Sequence, residues 1–214
     1  MITPEVIVID YGVGNLLSVQ RGLEHCGAKV ILTANPEKIL AAKRVVLPGV
    51  GAFANAMQAL ENLGLVAVIR ELAQHKTPLL GICLGMQLLL EESEEFGKTA
   101  GLGLIPGRVI AVPDQTLLRE KQKIPHIGWS ALQPSNAAVG WRNTLLENNH
   151  TGEAVYFVHS FMAVTAITDH RIADCLYGGH KIAAMIGRDQ ITGCQFHPEK
   201  SGAIGLKILR RFLL

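Results

Sequence analysis

Four short apolar runs restrict what this chain can fold into more than any other feature. VIVID (6–10), AKVILT (28–33), RVVLP (44–48) and TPLLGIC (77–83) are strand-length, and each gives way to a turn and then to an amphipathic stretch. Their residues are apolar in succession rather than alternately, as required of a strand buried on both faces of a parallel sheet. Between them, NLLSVQRGLEHCG (15–27) carries apolar residues at 16, 17, 19 and 23 and stops at glycine. NPEKIL opens with Asn35 as a helix cap and Pro36 at the first helical position. ANAMQALENLG and LVAVIRELAQH keep the helical period, and CLGMQLLLEESEE (83–95) predicts one more helix after the fourth strand. Alternation of this kind predicts an α/β fold with a doubly wound, mostly parallel sheet.

The second half changes character. RVIAV, GWSAL, AVYFVHSFMAV, RIADCLY, KIAAMIG and ITGCQFH are β-type runs parted by Gly, Asp and Asn turns, which predicts an antiparallel C-terminal extension of the sheet. IGLKILRRFLL (204–214) reads as a closing amphipathic helix, and residues 133–153 as loop with a short helix. No internal repeat or low-complexity linker divides the chain, so residues 1–214 are expected to form a single domain.

Composition excludes several classes of function. At 49% hydrophobic and 18% charged residues the chain can bury a substantial core. A net charge of +2, with basic residues no more clustered than short pairs, argues against nucleic acid as a partner. No apolar run reaches the roughly 18–20 residues of a membrane span. MITPEVIVID lacks a basic segment followed by a signal-length apolar core, and the four cysteines show no CxxC spacing. A reducing cytoplasm is the expected compartment, with no metal site and no cofactor.

One of those cysteines stands apart. In LLGICLGMQ, Cys83 lies between Gly81 and Gly85 where a strand passes into a helix pattern. A nucleophile on such an elbow needs a strained backbone and glycine neighbours that let the turn close. The following N–H groups, beginning with Leu84, favour negative charge on the sulfur or on an oxyanion formed beside it. The plain alternative is a small buried hydrophobe, as many free cysteines are. A thiol nucleophile also needs a base, and the base an orienting carboxylate. GCQFHPE supplies His197 and Glu199 two positions apart, stiffened by Pro198, although His126 and His159 also lack a simple structural explanation. LPGVGAF (47–53) is the third piece, a Gly-rich turn with backbone N–H groups free to face a ligand, or simply a strand–helix connection.

Taken together and in this order, LPGVGAF, GICLGMQ and QFHPEKSG resemble the class I, triad-type glutamine amidotransferases, and the resemblance runs over essentially the whole chain. It implies a flavodoxin-like α/β fold with L-glutamine as substrate. It also implies Cys83 as nucleophile, His197 as base and then acid, and Glu199 as the group orienting His197. The oxyanion would sit at the Leu84 N–H and the Val50 region, and Gly51, Gln87 and the backbone of Ser160 and Phe161 would hold glutamine. Within the family, DYGVGNLLSV, PHIGW and YFVHSF are similar to the glutaminase subunits of imidazole glycerol phosphate synthases, while Met86 argues against the anthranilate and aminodeoxychorismate branches.

No phosphate-binding loop or nucleotide fingerprint provides an ammonia acceptor within these residues. The resemblance therefore implies a heterodimer with a (β/α)₈ cyclase, activation on binding, and Val50, Trp129 and Lys200 near the communicating face. Ser130 and Phe161 stand where this branch commonly has Asn and Tyr. Both leave open a paralogous glutaminase that serves a sugar amidotransferase of surface-polysaccharide synthesis. A glutaminase-like binding subunit without chemistry, or a cysteine hydrolase or chaperone of related architecture, would be expected to break the triad motif, and the motif is intact.

Overall fold

A computed structural model describes residues 3–136 and 139–214. The first half is the expected alternation: β1 (Glu5–Ile9), α1 (Leu16–His25), β2 (Lys29–Thr33), α2 (Pro36–Leu40), β3 (Val45–Gly49), α3 (Phe53–Asn62), α4 (Leu65–Gln74), β4 (Leu79–Cys83) and α5 (Leu84–Leu88). Asn35 caps α2 by accepting from the Lys38 N–H at 3.0 Å, with Pro36 behind it. Then come β5 (Glu92–Ser93), β6 (Thr99–Ala100), β7 (Gly107–Ala111), β8 (His126–Ala131) and β9 (Gln133–Pro134). The chain closes with β10 (Ala154–His159), β11 (Phe161–Thr165), β12 (Arg171–Tyr177), β13 (His180–Arg188), β14 (Ile191–Cys194) and α6 (Gly202–Phe212).

The main sheet has the order β2-β1-β3-β4-β14-β13-β12-β9. Its pairs from β2 through β14 are parallel, and those from β14 to β9 are antiparallel. Both faces are covered, which is why the strands are apolar in succession. Ile7, Ile9, Val45, Leu47 and Leu79 pack with α2, α3, α4 and α5. Val6, Val8, Val46, Leu80 and Ile82 pack with Val19 and Leu23 of α1 and Ile208, Leu209 and Phe212 of α6. Among the described residues no helix is long and apolar enough to cross a membrane, and all four cysteines are free.

Four expectations require correction. The helix expected over 83–95 ends at Leu88, because a neighbouring loop captures the carbonyls needed to extend it. Leu102 N donates to Leu88 O at 2.9 Å, Leu104 N to Leu89 O at 2.9 Å, and Gly103 N to Leu90 O at 3.0 Å. ITGCQFH is strand only as far as Cys194, and β14 lies parallel beside β4, within the parallel part of the sheet. AVYFVHSFMAV is not one strand. It breaks at Ser160, sending β10 into a two-stranded sheet with β8 and β11 into a four-stranded sheet with β7, β5 and β6. The antiparallel extension of the main sheet is therefore β13, β12 and β9 alone. Residues 133–153 form β9 and turns with no helix among the described residues; positions 137 and 138 of that stretch lie outside them.

Candidate active site

The site begins with the passage from β4 to α5. Cys83 adopts φ +56° and ψ −112°, a sparsely populated conformation that costs a non-glycine residue on the order of 1–3 kcal/mol. Its glycine neighbours make the turn sterically feasible. A Cβ on Gly85 would lie 1.9 Å from the Leu47 carbonyl oxygen, and one on Gly81 would lie 2.6 Å from the Gly85 carbonyl oxygen. No side chain fits at either place, so the elbow can close against the backbone of β3. The same register pairs Gly49 with Cys83, which sets Val50 beside the turn carrying the sulfur.

The sulfur opens onto a cavity of about 610 Å³ lined by Val50, Gly51, Cys83, Leu84, Gln87, Ser160, Phe161 and His197 together with Glu95, Phe96, Pro125, Val158 and His159. Of the residues given a site role from the sequence, eight meet here. Glu199 stands behind His197, accepting from Nδ1 through Oε1 at 2.7 Å, with the two side chains 4% and 1% exposed. Trp129 and Lys200 are elsewhere. Trp129 is 57% exposed on the outer face of β8, its ring 6.0 Å from that of Tyr156, and Lys200 is exposed beyond the cavity.

His197 holds its proton tightly. Burial pulls its pKa down, but the hydrogen-bonding and charge of Cys83 and then of Glu199 outweigh burial and raise it to about 9. Nε2 is buried and has no hydrogen-bond partner of ordinary geometry among the described residues. At neutral pH the imidazole is thus protonated beside the Cys83 sulfur, an arrangement suited to nucleophilic attack followed by proton donation.

Sequence reasoning missed several residues in and around the cavity. Gln195, buried in the run before His197, donates through Nε2 to Cys83 Sγ at 3.8 Å and accepts from Gln87 Nε2 at 2.9 Å. Gln87 Nε2 also donates to the Phe161 carbonyl at 3.0 Å. Tyr11 donates its hydroxyl proton to Pro48 O at 2.8 Å, pinning the turn before Val50. Burial, and secondarily the charge of Cys83, pushes its ionisation well up. The DYG that ends the first strand was the available signal for Tyr11.

Glu95 gave no local signal. Its carboxylate accepts from the Phe53 N–H at 2.7 Å and so caps α3, whose own N-cap residue, Ala52, has no side chain able to do so. This caps one helix with a residue 42 positions away and leaves a carboxylate on the cavity wall.

A sequence model of the family described as "Glutamine amidotransferase class-I" matches residues 7–214. The chain is 49% identical over 208 residues to the imidazole glycerol phosphate synthase subunit HisH 1 of Legionella pneumophila (strain Lens), covering 97% of this chain and 98% of that relative. It is 46% identical over 206 residues to the corresponding HisH subunit of Geobacillus thermodenitrificans (strain NG80-2), covering 96% and 93%. A crystal structure of a glutamine amidotransferase superposes with a TM-score of 0.72 at 14% identity over 97% of this chain and 96% of that one, a likeness of fold.

Proposed function

The chain belongs to the class I glutamine amidotransferase family, and from that premise we propose that it is the glutaminase subunit of an imidazole glycerol phosphate synthase. It forms a single amidotransferase domain that hydrolyses the side-chain amide of L-glutamine and passes ammonia to a cyclase partner. That partner uses it to make imidazole glycerol phosphate and an aminoimidazole carboxamide ribotide. The observation that carries this reading is near-half identity, over almost the full length of both chains, to subunits named for that synthase. It favours the cyclase over a sugar amidotransferase as the ammonia acceptor.

The chemistry follows from the cavity. Cys83 sulfur, its proton already carried by His197, attacks the amide carbon, and the carbonyl electron pair moves to oxygen, where the Leu84 N–H at the start of α5 and the Val50 backbone stabilise it. His197 gives its proton to the departing nitrogen, and ammonia leaves behind a γ-glutamyl thioester. Water then attacks with His197 as base, the C–S bond breaks, and glutamate is released with the thiol regenerated. Glu199 keeps the proton of Nδ1 in place throughout, so that Nε2 is the nitrogen that exchanges protons. Gly51, Gln87 and the Ser160–Phe161 backbone hold the substrate, and Glu95, a carboxylate on the cavity wall, receives its α-ammonium. Val50, Trp129 and Lys200 lie toward the partner, which switches the site on when it binds.

The test is glutamate release from glutamine by the chain alone and in mixture with the cyclase subunit and its nucleotide ligand. Strong stimulation that vanishes in Cys83→Ala supports both halves of the proposal. Cys83-dependent turnover indifferent to the cyclase moves the acceptor to a sugar amidotransferase. No turnover in either mixture overturns the enzyme reading.

A further inference from the structure

At and behind the cavity wall lies a buried pair of histidines that the mechanism above does not use. His126 and His159 occupy the inner face of the two-stranded β8/β10 sheet as register partners, 2% and 6% exposed, with His126 Nδ1 3.0 Å from His159 Nε2. His126 is held between the rings of Tyr177 and Phe157, with centroids 4.1 and 4.9 Å away. Its Nε2 is 2.9 Å from Ser130 Oγ, and His159 Nδ1 is 2.8 Å from the Phe161 carbonyl oxygen.

These contacts fix every proton. A carbonyl only accepts, so His159 carries its proton on Nδ1 and, when neutral, accepts at Nε2. His126 must then donate from Nδ1 and accept at Nε2, and the hydroxyl of Ser130 must donate to it. Both rings are neutral at pH 7, because burial lowers each to about 4. The charges of the neighbouring imidazoles add to this for His159, against the hydrogen bond to Phe161. Both are thereby held in the Nδ1–H form, which is the less favoured tautomer of free histidine.

The chain does not stop at Phe161. Its carbonyl also accepts from Gln87 Nε2, whose second proton goes to Gln195 Oε1, and Gln195 Nε2 donates to Cys83 Sγ. We propose that His126 and His159 are positioning residues for the glutaminase reaction. They form a one-directional hydrogen-bonded chain from Ser130 that holds the Phe161 carbonyl, and through it Gln87 and Gln195, in register with the Cys83 sulfur. The inference deepens the proposed function and rests on it for its kinetic part. Ser130, the residue that departs from the common family pattern, takes a defined place as the terminal donor. The strand bearing it also carries the exposed Ile127 and Trp129 on its opposite face.

The experiment compares the wild type with His126→Phe, which keeps the ring stack but neither nitrogen, and with Ser130→Ala. Each is assayed as full chain with the cyclase. Loss of one net hydrogen bond in Ser130→Ala predicts roughly a three- to tenfold fall in kcat/KM for glutamine, and loss of two in His126→Phe a larger one. Nitrogen-15 spectra of the wild type should show the Nδ1–H tautomer for both histidines, a readout independent of turnover. Wild-type kinetics in both variants, or an Nε2–H tautomer at either ring, overturns the inference. A wild type without glutaminase activity overturns the functional reading instead, and the spectra still decide whether the chain exists.

Discussion

Removing the partners of His197 one at a time gives a quantitative prediction. The shift from 6.5 to about 9, at 1.36 kcal/mol per pKa unit, corresponds to roughly 3 kcal/mol favouring the protonated ring in the folded protein. Because burial alone would lower the pKa, that figure is what survives after burial has been offset by Cys83 and Glu199. Cys83→Ala is therefore expected to lower the pKa more than Glu199→Gln, whose amide oxygen still accepts from Nδ1. With both substitutions present burial is opposed only by that remaining hydrogen bond, and the pKa should fall below that of either single variant. Nitrogen-15 titration of the imidazole measures all four values. The sign for stability follows from linkage: a group whose pKa is raised on folding stabilises fully below its unfolded value and loses that contribution as pH rises through the folded one. The wild type should accordingly lose about 3 kcal/mol relative to the double variant between pH 6.5 and 9, read by denaturant unfolding at several pH values. A wild-type His197 that titrates below 7, or a value unmoved in Cys83→Ala, refutes the reasoning.

Two further substitutions probe the scaffold and the substrate wall. Gly85→Ala puts a methyl group where Leu47 O stands 1.9 Å away; the backbone shift should cost about 1–3 kcal/mol. Calorimetry should show a lower Tm, alkylation of Cys83 should slow, and an unchanged Tm would contradict the close approach. Glu95→Gln keeps an acceptor for the Phe53 N–H, so Tm should hold. KM for glutamine should rise about ten- to a hundredfold if the carboxylate meets the α-ammonium, since a hydrogen bond to a charged group contributes about 1.5–3 kcal/mol. Unchanged KM removes Glu95 from substrate binding.

Much of the architecture was legible because parallel strands buried on both faces advertise themselves as continuous apolar runs, and β1 through β4 all do so. The elbow was legible for a related reason: its glycines are dictated by backbone crowding within a few residues of Cys83. What sequence could not show depends on contacts distant along the chain. The end of α5 is decided by N–H groups of residues 102–104 reaching back to Leu88, Leu89 and Leu90, and nothing in CLGMQLLLEESEE announces their arrival. The break at Ser160 belongs to neither half of AVYFVHSFMAV; it is set by which sheet each half joins. Glu95 and Gln195 looked ordinary for the same reason, since one caps a helix 42 positions back and the other matters because Gln87 and Cys83 come to meet it.

The crowding around Gly81 and Gly85 also decides which part of this machine can be its switch. A thiol on a turn wedged against β3 has almost no latitude to drift, so under the proposed activation an idle site and a working one would share the same sulfur position. Under the proposed function, control then falls to the strand end beside it. There Val50 sits 42% exposed just past the last rung that β3 shares with β4, free to be pushed from outside. The nucleophile is the anvil; the proposed partner would act by moving what strikes it.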